Sequence, residues 1–210
     1  MVILTIVLLL VPLVVPSRAQ SPAPAGDLPP DVPEKHWAAP SVRRTLQLKA
    51  VDLVGGKFEG ARTATRLDLA QVVAAVLEKH GKKFKPVAVK ELPANHPQAK
   101  AVGIAIASGA VKARKGRVGV EQPLTRDDLA VAISRMLAIV FNDPEGPVSA
   151  PVELNDVPPD SPLYVPIQRA VKAKMISLNA NKYEGYNPVT RYLLAAVVVR
   201  LADGKPGAKK

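Results

Sequence analysis

The chain has 210 residues, 29 Lys and Arg against 18 Asp and Glu, and a formal net charge of +11. It has no cysteine and only three histidines, which excludes a disulfide framework, a thiol nucleophile and a multi-histidine metal centre. With 21 prolines and 4% aromatic residues, it reads as short elements broken by loops, neither a long coiled coil nor an aromatic base-stacking surface.

Residues 2–15 are almost wholly apolar, and Ser17-Arg18-Ala19-Gln20 follows shortly after. Small residues at Ser17 and Ala19 fit a secretory signal over residues 1–19, cleaved after Ala19. About 14 apolar residues fall short of the roughly 20 that a membrane span needs. No Lys or Arg precedes the run, so an uncleaved anchor is the alternative, and only then would the chain sit at a membrane. Cleavage removes Arg18 and lowers the net charge from +11 to +10. Residues 20–30 then form a Pro/Ala-rich extended tether.

The remainder is an internal repeat. Gap-free copies start at Asp31-Val32-Pro33, Glu91-Leu92-Pro93 and Asp156-Val157-Pro158. Thirty-four residues later each reaches a Thr-Arg pair: Thr65-Arg66, Thr125-Arg126 and Thr190-Arg191. Two landmarks at one distance in three copies define repeats over residues 31–81, 91–140 and 156–203, with a basic tail at 204–210.

In the first half of each copy, Val42, Val102 and Ile167 align, and Leu46, Ile106 and Val171 follow four residues on. That spacing predicts a short helix closed by Val51, Val111 and Ile176. Phe58, Val118 and Tyr183 align in the next loop and read as core plugs. A second helix follows, with stripes Leu69/Val72/Val73/Val76/Leu77, Leu129/Ile133/Met136/Leu137 and Leu194/Val197/Val198/Leu201. The Thr before each Arg is a natural N-cap, and Asp68 and Asp128 complete a capping-box pattern that Leu193 lacks. The fold class is all-α, and units of about 50 residues are too small to bury a core alone. They are expected to pack through their second-helix stripes, with residues 81–90 and 141–154 as surface connectors.

This pattern resembles the S-layer homology (SLH) domain. The resemblance rests on Asp31-Val32-Pro33-Glu34-Lys35-His36-Trp37-Ala38 in the first copy and on the three Thr-Arg pairs, and it covers residues 31–203. It implies three helix-loop-helix units packed as a pseudo-threefold helical bundle in the cell envelope, outside the cytoplasmic membrane. The implied partner is an anionic cell-wall polysaccharide or peptidoglycan, held without covalent bonds. The implied ligand residues are Arg66, Arg126 and Arg191, in grooves between repeats, with Asp31 and Trp37 and the counterparts Glu91 and Asp156. The chain departs from the family's Ala-Glu step, with Leu67-Asp68, Asp127-Asp128 and Tyr192-Leu193, and Leu53, Ala113 and Leu178 stand where the family's loop has Gly.

Each site residue has a second reading. The arginines suit bidentate binding of an anion at a helix start, or pairing with Asp31, Glu91 or Asp156 to pin the bundle. Trp37 suits stacking on a sugar, or plugging the base of the first helix. His36 and His96 read as polar caps or solvent-facing groups. Lys112, Arg114, Lys115 and Arg117 form a basic loop that attracts polyanions or is simply solvated. No Ser-His-Asp arrangement, His-Glu-x-x-His, phosphate-binding Gly loop or EF-hand run is present, so no enzyme and no cofactor is expected; paired acids for glycoside hydrolysis are the residual catalytic alternative. The expected role is wall-polymer binding. The competing one is an envelope scaffold with a protein partner and no glycan binding. Nucleic acid fits the charge alone and is set aside.

Overall fold

The structure, a computed structural model, describes residues 27–204. The signal segment, most of the tether and nearly all of the basic tail lie outside the described residues. Among the described residues six helices appear in chain order: α1 (Ala39–Gln47), α2 (Arg66–Lys79), α3 (Ala99–Ala107), α4 (Arg126–Phe141), α5 (Tyr164–Lys172) and α6 (Arg191–Asp203). The fold is all-α, and among the described residues β pairing is limited to isolated bridges.

The short helices α1, α3 and α5 begin at matched places in the three copies. None has a side-chain cap on its first turn. Instead His36 Nδ1 accepts the Ala38 N–H, His96 Nδ1 accepts the Gln98 N–H and Ser161 Oγ accepts the Leu163 N–H, so both histidines act as polar caps of the preceding turn. Just beyond each of these helices stands a left-handed residue, Lys49, Gly109 or Lys174. That conformation reverses the chain after the last turn. A two-residue hairpin follows, bridged Val54 to Lys57, Arg114 to Arg117 and Asn179 to Lys182. Its central pairs, Gly55/Gly56, Lys115/Gly116 and Ala180/Asn181, all have positive φ, as a type I′ turn requires. Leu53, Ala113 and Leu178 pack against the core from this hairpin.

Helices α2, α4 and α6 start at the three arginines. Thr65 and Thr125 form complete capping boxes with Asp68 and Asp128, whereas Thr190 only accepts the Leu193 N–H. The second-helix stripes are buried, as are Phe58, Val118 and Tyr183, which plug the core from their loops.

The helices pack in pairs across the copies. α3 lies on α2, α5 on α4, and α1 on α6, while α2 also touches α4 and α6. Thus each short helix covers the long helix of a neighbouring copy, and the stripe-to-stripe contact expected from sequence is the lesser part of the packing. The connectors are more embedded than expected. Val89 is buried, and Gln168 clamps the Val152 backbone by donating to its carbonyl and accepting from its N–H. The end of the tether also docks, with Pro29 buried and Leu28 half-buried against the core.

At the centre, three aligned residues close a ring of backbone hydrogen bonds. Ala64 N–H donates to Val189 O at 2.8 Å, Val189 N–H to Leu124 O at 2.9 Å, and Leu124 N–H to Ala64 O at 2.8 Å. All three are fully buried. Buried backbone groups must find partners, and here each copy supplies its neighbour.

Candidate functional site

The three junctions between copies share one plan. The N–H groups of Arg66, Arg126 and Arg191 donate to Gln122 O, Asn187 O and Arg62 O, which are themselves aligned positions. Each guanidinium then reaches the core plug of the next copy. Arg66 donates to Val118 O at 3.0 Å, Arg126 to Tyr183 O at 2.7 Å and Arg191 to Phe58 O at 2.8 Å. The Arg126 and Arg191 guanidinium carbons also lie 5.1 Å over the Tyr183 and Phe58 rings.

Carboxylate partners differ between junctions, and the sequence explains why. Arg66 makes a two-bond pair with Asp128, at 3.1 Å for each bond. Arg191 pairs with Asp68 in the interior, where its side chain is 2% exposed, and also donates to Asp52 O. Burial lowers the Arg191 pKa from its ordinary value, and the Asp68 charge opposes that shift. Arg126 faces the copy in which the third helical position is Leu193. Among the described residues no carboxylate lies within ion-pairing distance of it, and its second partner is Ser177 O at 2.6 Å.

The carboxylates that pair with arginine are therefore Asp68 and Asp128. Asp31, Glu91 and Asp156 do something else. Asp31 accepts the N–H groups of Phe58 and Glu59, Glu91 those of Val118, Gly119 and Val120, and Asp156 those of Tyr183 and Glu184. They fold each plug loop back onto the start of its own copy. Burial works to raise the Asp156 pKa, but the Tyr183 and Glu184 N–H groups hold it below its ordinary value.

Trp37 is not a core plug. It is 66% exposed at the junction of the first and third copies. It belongs to an aromatic shelf that crosses that junction. His36 stacks on Tyr192 with ring centroids 4.2 Å apart, Trp37 lies 5.6 Å from His36 and 6.1 Å from Tyr192, and Phe58 backs Tyr192 at 5.8 Å. The Tyr192 ring lies over Gly60, where an added Cβ would come within 2.1 Å of it. Pro97 and Pro162 stand where Trp37 does, so the other two junctions have no such shelf.

The junction of the second and third copies is acidic. Asp127, aligned with Tyr192, lies over Gly185, where an added Cβ would sit 2.2 Å from Asp127 Oδ1. Desolvation first, then the charges of Asp128 and Asp156, push its carboxyl above the usual range against the pull of Arg126. A raised acid pKa means that ionised Asp127 opposes folding once pH exceeds its unfolded value. Asp127→Asn is therefore expected to raise the melting temperature at pH 7 and to leave it unchanged near pH 3, as followed by circular dichroism.

Lys112, Arg114, Lys115 and Arg117 are all exposed around the hairpin, and the Lys90 side chain lies along Gly116. Two features had no place in the sequence reading. Tyr192 marked only a departure from the motif. Arg169, 4% exposed, ties α5 to α4 and the following connector through Ser134 Oγ, Pro144 O and Asp143.

Among the described residues no helix is long and apolar enough to cross a membrane, and no group of three His, Asp or Glu could hold a metal ion. No protein-family model matches the chain, and no curated protein matches it.

Proposed function

We propose that the chain is a non-catalytic module of the cell envelope, made of three SLH-type repeats around a pseudo-threefold axis, that binds an anionic wall polysaccharide or peptidoglycan non-covalently. The cyclic hydrogen bonds of Ala64, Leu124 and Val189 support the pseudo-threefold reading. The observation that carries the function is the exposed Trp37 on a stack that bridges two copies. An indole face at a junction offers a platform for a sugar ring, and the net positive charge favours a polymer with acidic groups.

In this reading the arginines divide their work. Arg66 and Arg191 hold the junctions through ion pairs, and Arg126, half-exposed, bonded only to carbonyls and acting on Asp127 from beyond ion-pairing distance, is the one left to meet an anion. The inward ties of Arg66 and Arg191 also favour a second reading, an envelope scaffold that binds a protein partner and no glycan.

Trp37 is the only tryptophan, so its emission reports directly on the site. Residues 20–210 titrated with wall polysaccharide are expected to show a blue-shifted emission that weakens as salt rises, because exposed charges are screened within about 8–10 Å. Trp37→Ala is expected to reduce co-sedimentation with intact wall sacculi at least tenfold, about 1.4 kcal/mol. Equal binding to acid-stripped sacculi would assign peptidoglycan as the ligand. No binding to either would assign the scaffold role.

A further inference from the structure

A cleft of about 900 Å³ that shares no lining residue with the aromatic shelf lies between the end of α1, α2, α3 and the connector that follows α2. Its floor is small and apolar, with Ala74, Ala75, Leu77, Ala101 and Ile104. Its rim carries Lys49, Lys79, Lys82, Lys83 and Lys100. Two carboxylates, Asp52 and Glu78, also line it, and Asp52 accepts from the side-chain amides of Gln71 at 2.6 Å and Gln98 at 2.5 Å. Among the described residues none of the five lysines forms an ion pair.

The fold does not need these lysines. A related cleft of about 470 Å³ lies between α4 and α5. There the positions aligned with the five lysines are Gly109, Ile139, Asn142, Asp143 and Val165, without one cation. That cleft is lined by Lys112 and Arg135 with Glu145, so the same helix pairing forms without cations at these five positions. Five ammonium groups against the two carboxylates Asp52 and Glu78 leave the lining with a net charge of +3 (5 − 2), and a bound anion relieves the repulsion among the lysines.

We propose that this cleft is a second anion-binding site that takes the phosphate groups of a phosphodiester-linked polyol chain. The proposal rests on the reading that the partner is an anionic envelope polymer, and it names the chemistry of that partner. An ammonium is a compact point charge with three rotatable donors, so several of them can follow phosphates spaced along a flexible chain without the fixed two-bond geometry of the arginine fork. The floor is aliphatic, with Phe84 the one ring in the lining, so it suits a polyol and lacks the stacked platform that bases use.

The test is a titration of residues 20–210 with a synthetic glycerol-phosphate oligomer at low salt, read by amide chemical shifts. The expected result is perturbation centred on residues 79–83 and 100, and a loss of affinity of tenfold or more in the variant carrying Lys79→Gln, Lys82→Gln, Lys83→Gln and Lys100→Gln. Trp37→Ala is expected to bind this oligomer like the wild type, which separates the cleft from the aromatic shelf. Unchanged affinity in the four-lysine variant overturns the proposal. So does an equal loss when Lys112, Arg114, Lys115 and Arg117 are replaced by Gln, which would reveal diffuse charge attraction. Polygalacturonate binding the cleft as tightly overturns the choice of phosphate, and tighter binding of an oligothymidylate overturns the polyol.

Discussion

Arg191→Ala is expected to lower stability by about 3–5 kcal/mol, the usual cost of removing one partner of a buried ion pair. For a domain of this size that is a fall in melting temperature on the order of 10 °C. The size follows from what the residue touches. Its guanidinium joins the Phe58 carbonyl, the Asp52 carbonyl and the Asp68 carboxylate, and all three belong to the first copy. Removing it leaves Asp68 charged at 5% exposure. Asp68 also caps α2 through Thr65, so the damage reaches the start of that helix. Arg191→Lys is expected to recover little, because one ammonium cannot reach the three separate groups that the guanidinium nitrogens bond. Arg126→Ala is expected to cost less, about 1–2 kcal/mol, since it is half-exposed and bonds only neutral carbonyls. The check is urea unfolding of the three variants. A urea midpoint for Arg191→Ala equal to that of the wild type would remove the structural role assigned to this residue.

The landmarks that the repeats share were legible because each sits where a local rule acts. Thr-Arg marks a helix start, and the structure begins α2, α4 and α6 at those arginines. The aligned plugs Phe58, Val118 and Tyr183 are buried because an apolar side chain in a Gly- and Lys-bearing loop has no other use there. What escaped was pairing between copies. Asp68 and Asp128 read as caps, and they are, but each also meets the neighbouring copy's arginine: Asp68 caps through Oδ2 and pairs through Oδ1, and Asp128 shares its capping Oδ2 with Arg66 while Oδ1 takes the second bond. Asp31, Glu91 and Asp156 looked like partners for arginine because they are acidic and repeated. Their oxygens instead satisfy loop N–H groups, a need set by backbone geometry and invisible in composition. Ala64, Leu124 and Val189 carried a usable signal: all are apolar and stand immediately before the Thr. Trp37 carried a misleading one, since a lone tryptophan just before a short amphipathic helix more often packs inward. Its neighbour across the junction, Tyr192, lies 155 residues away, and no local pattern connects them.

Removal of the third copy is expected to unfold the other two. In a linear solenoid each repeat contacts only its neighbours, and trimming an end costs one interface. Here the chain closes on itself. α1 packs on α6, Arg44 makes a two-bond pair with Asp203 at 2.6 Å for each bond, and His80 Nε2 lies 3.0 Å from Leu201 O. A chain ending at residue 155 loses α6 from beneath α1, Arg191 from Asp68 and Val189 from the central ring. It also exposes the face of α4 that α5 covers. Each fully buried aliphatic side chain contributes about 1.5–3 kcal/mol, and Leu194, Val197, Val198 and Leu201 alone approach the 5–15 kcal/mol that a whole domain commands. The truncated chain is therefore expected to show no cooperative melting, and Trp37 emission at the wavelength of a free indole. A circular permutant is the converse test. Joining residue 204 to residue 27 with a flexible linker and opening the chain at Gly146 keeps every pairing and all three ring bonds. It is expected to melt in one transition within a few degrees of the wild type. A truncated chain that kept a sharp transition, or a permutant that lost one, would mean that the copies are stable separately and that closure between α1 and α6 adds little.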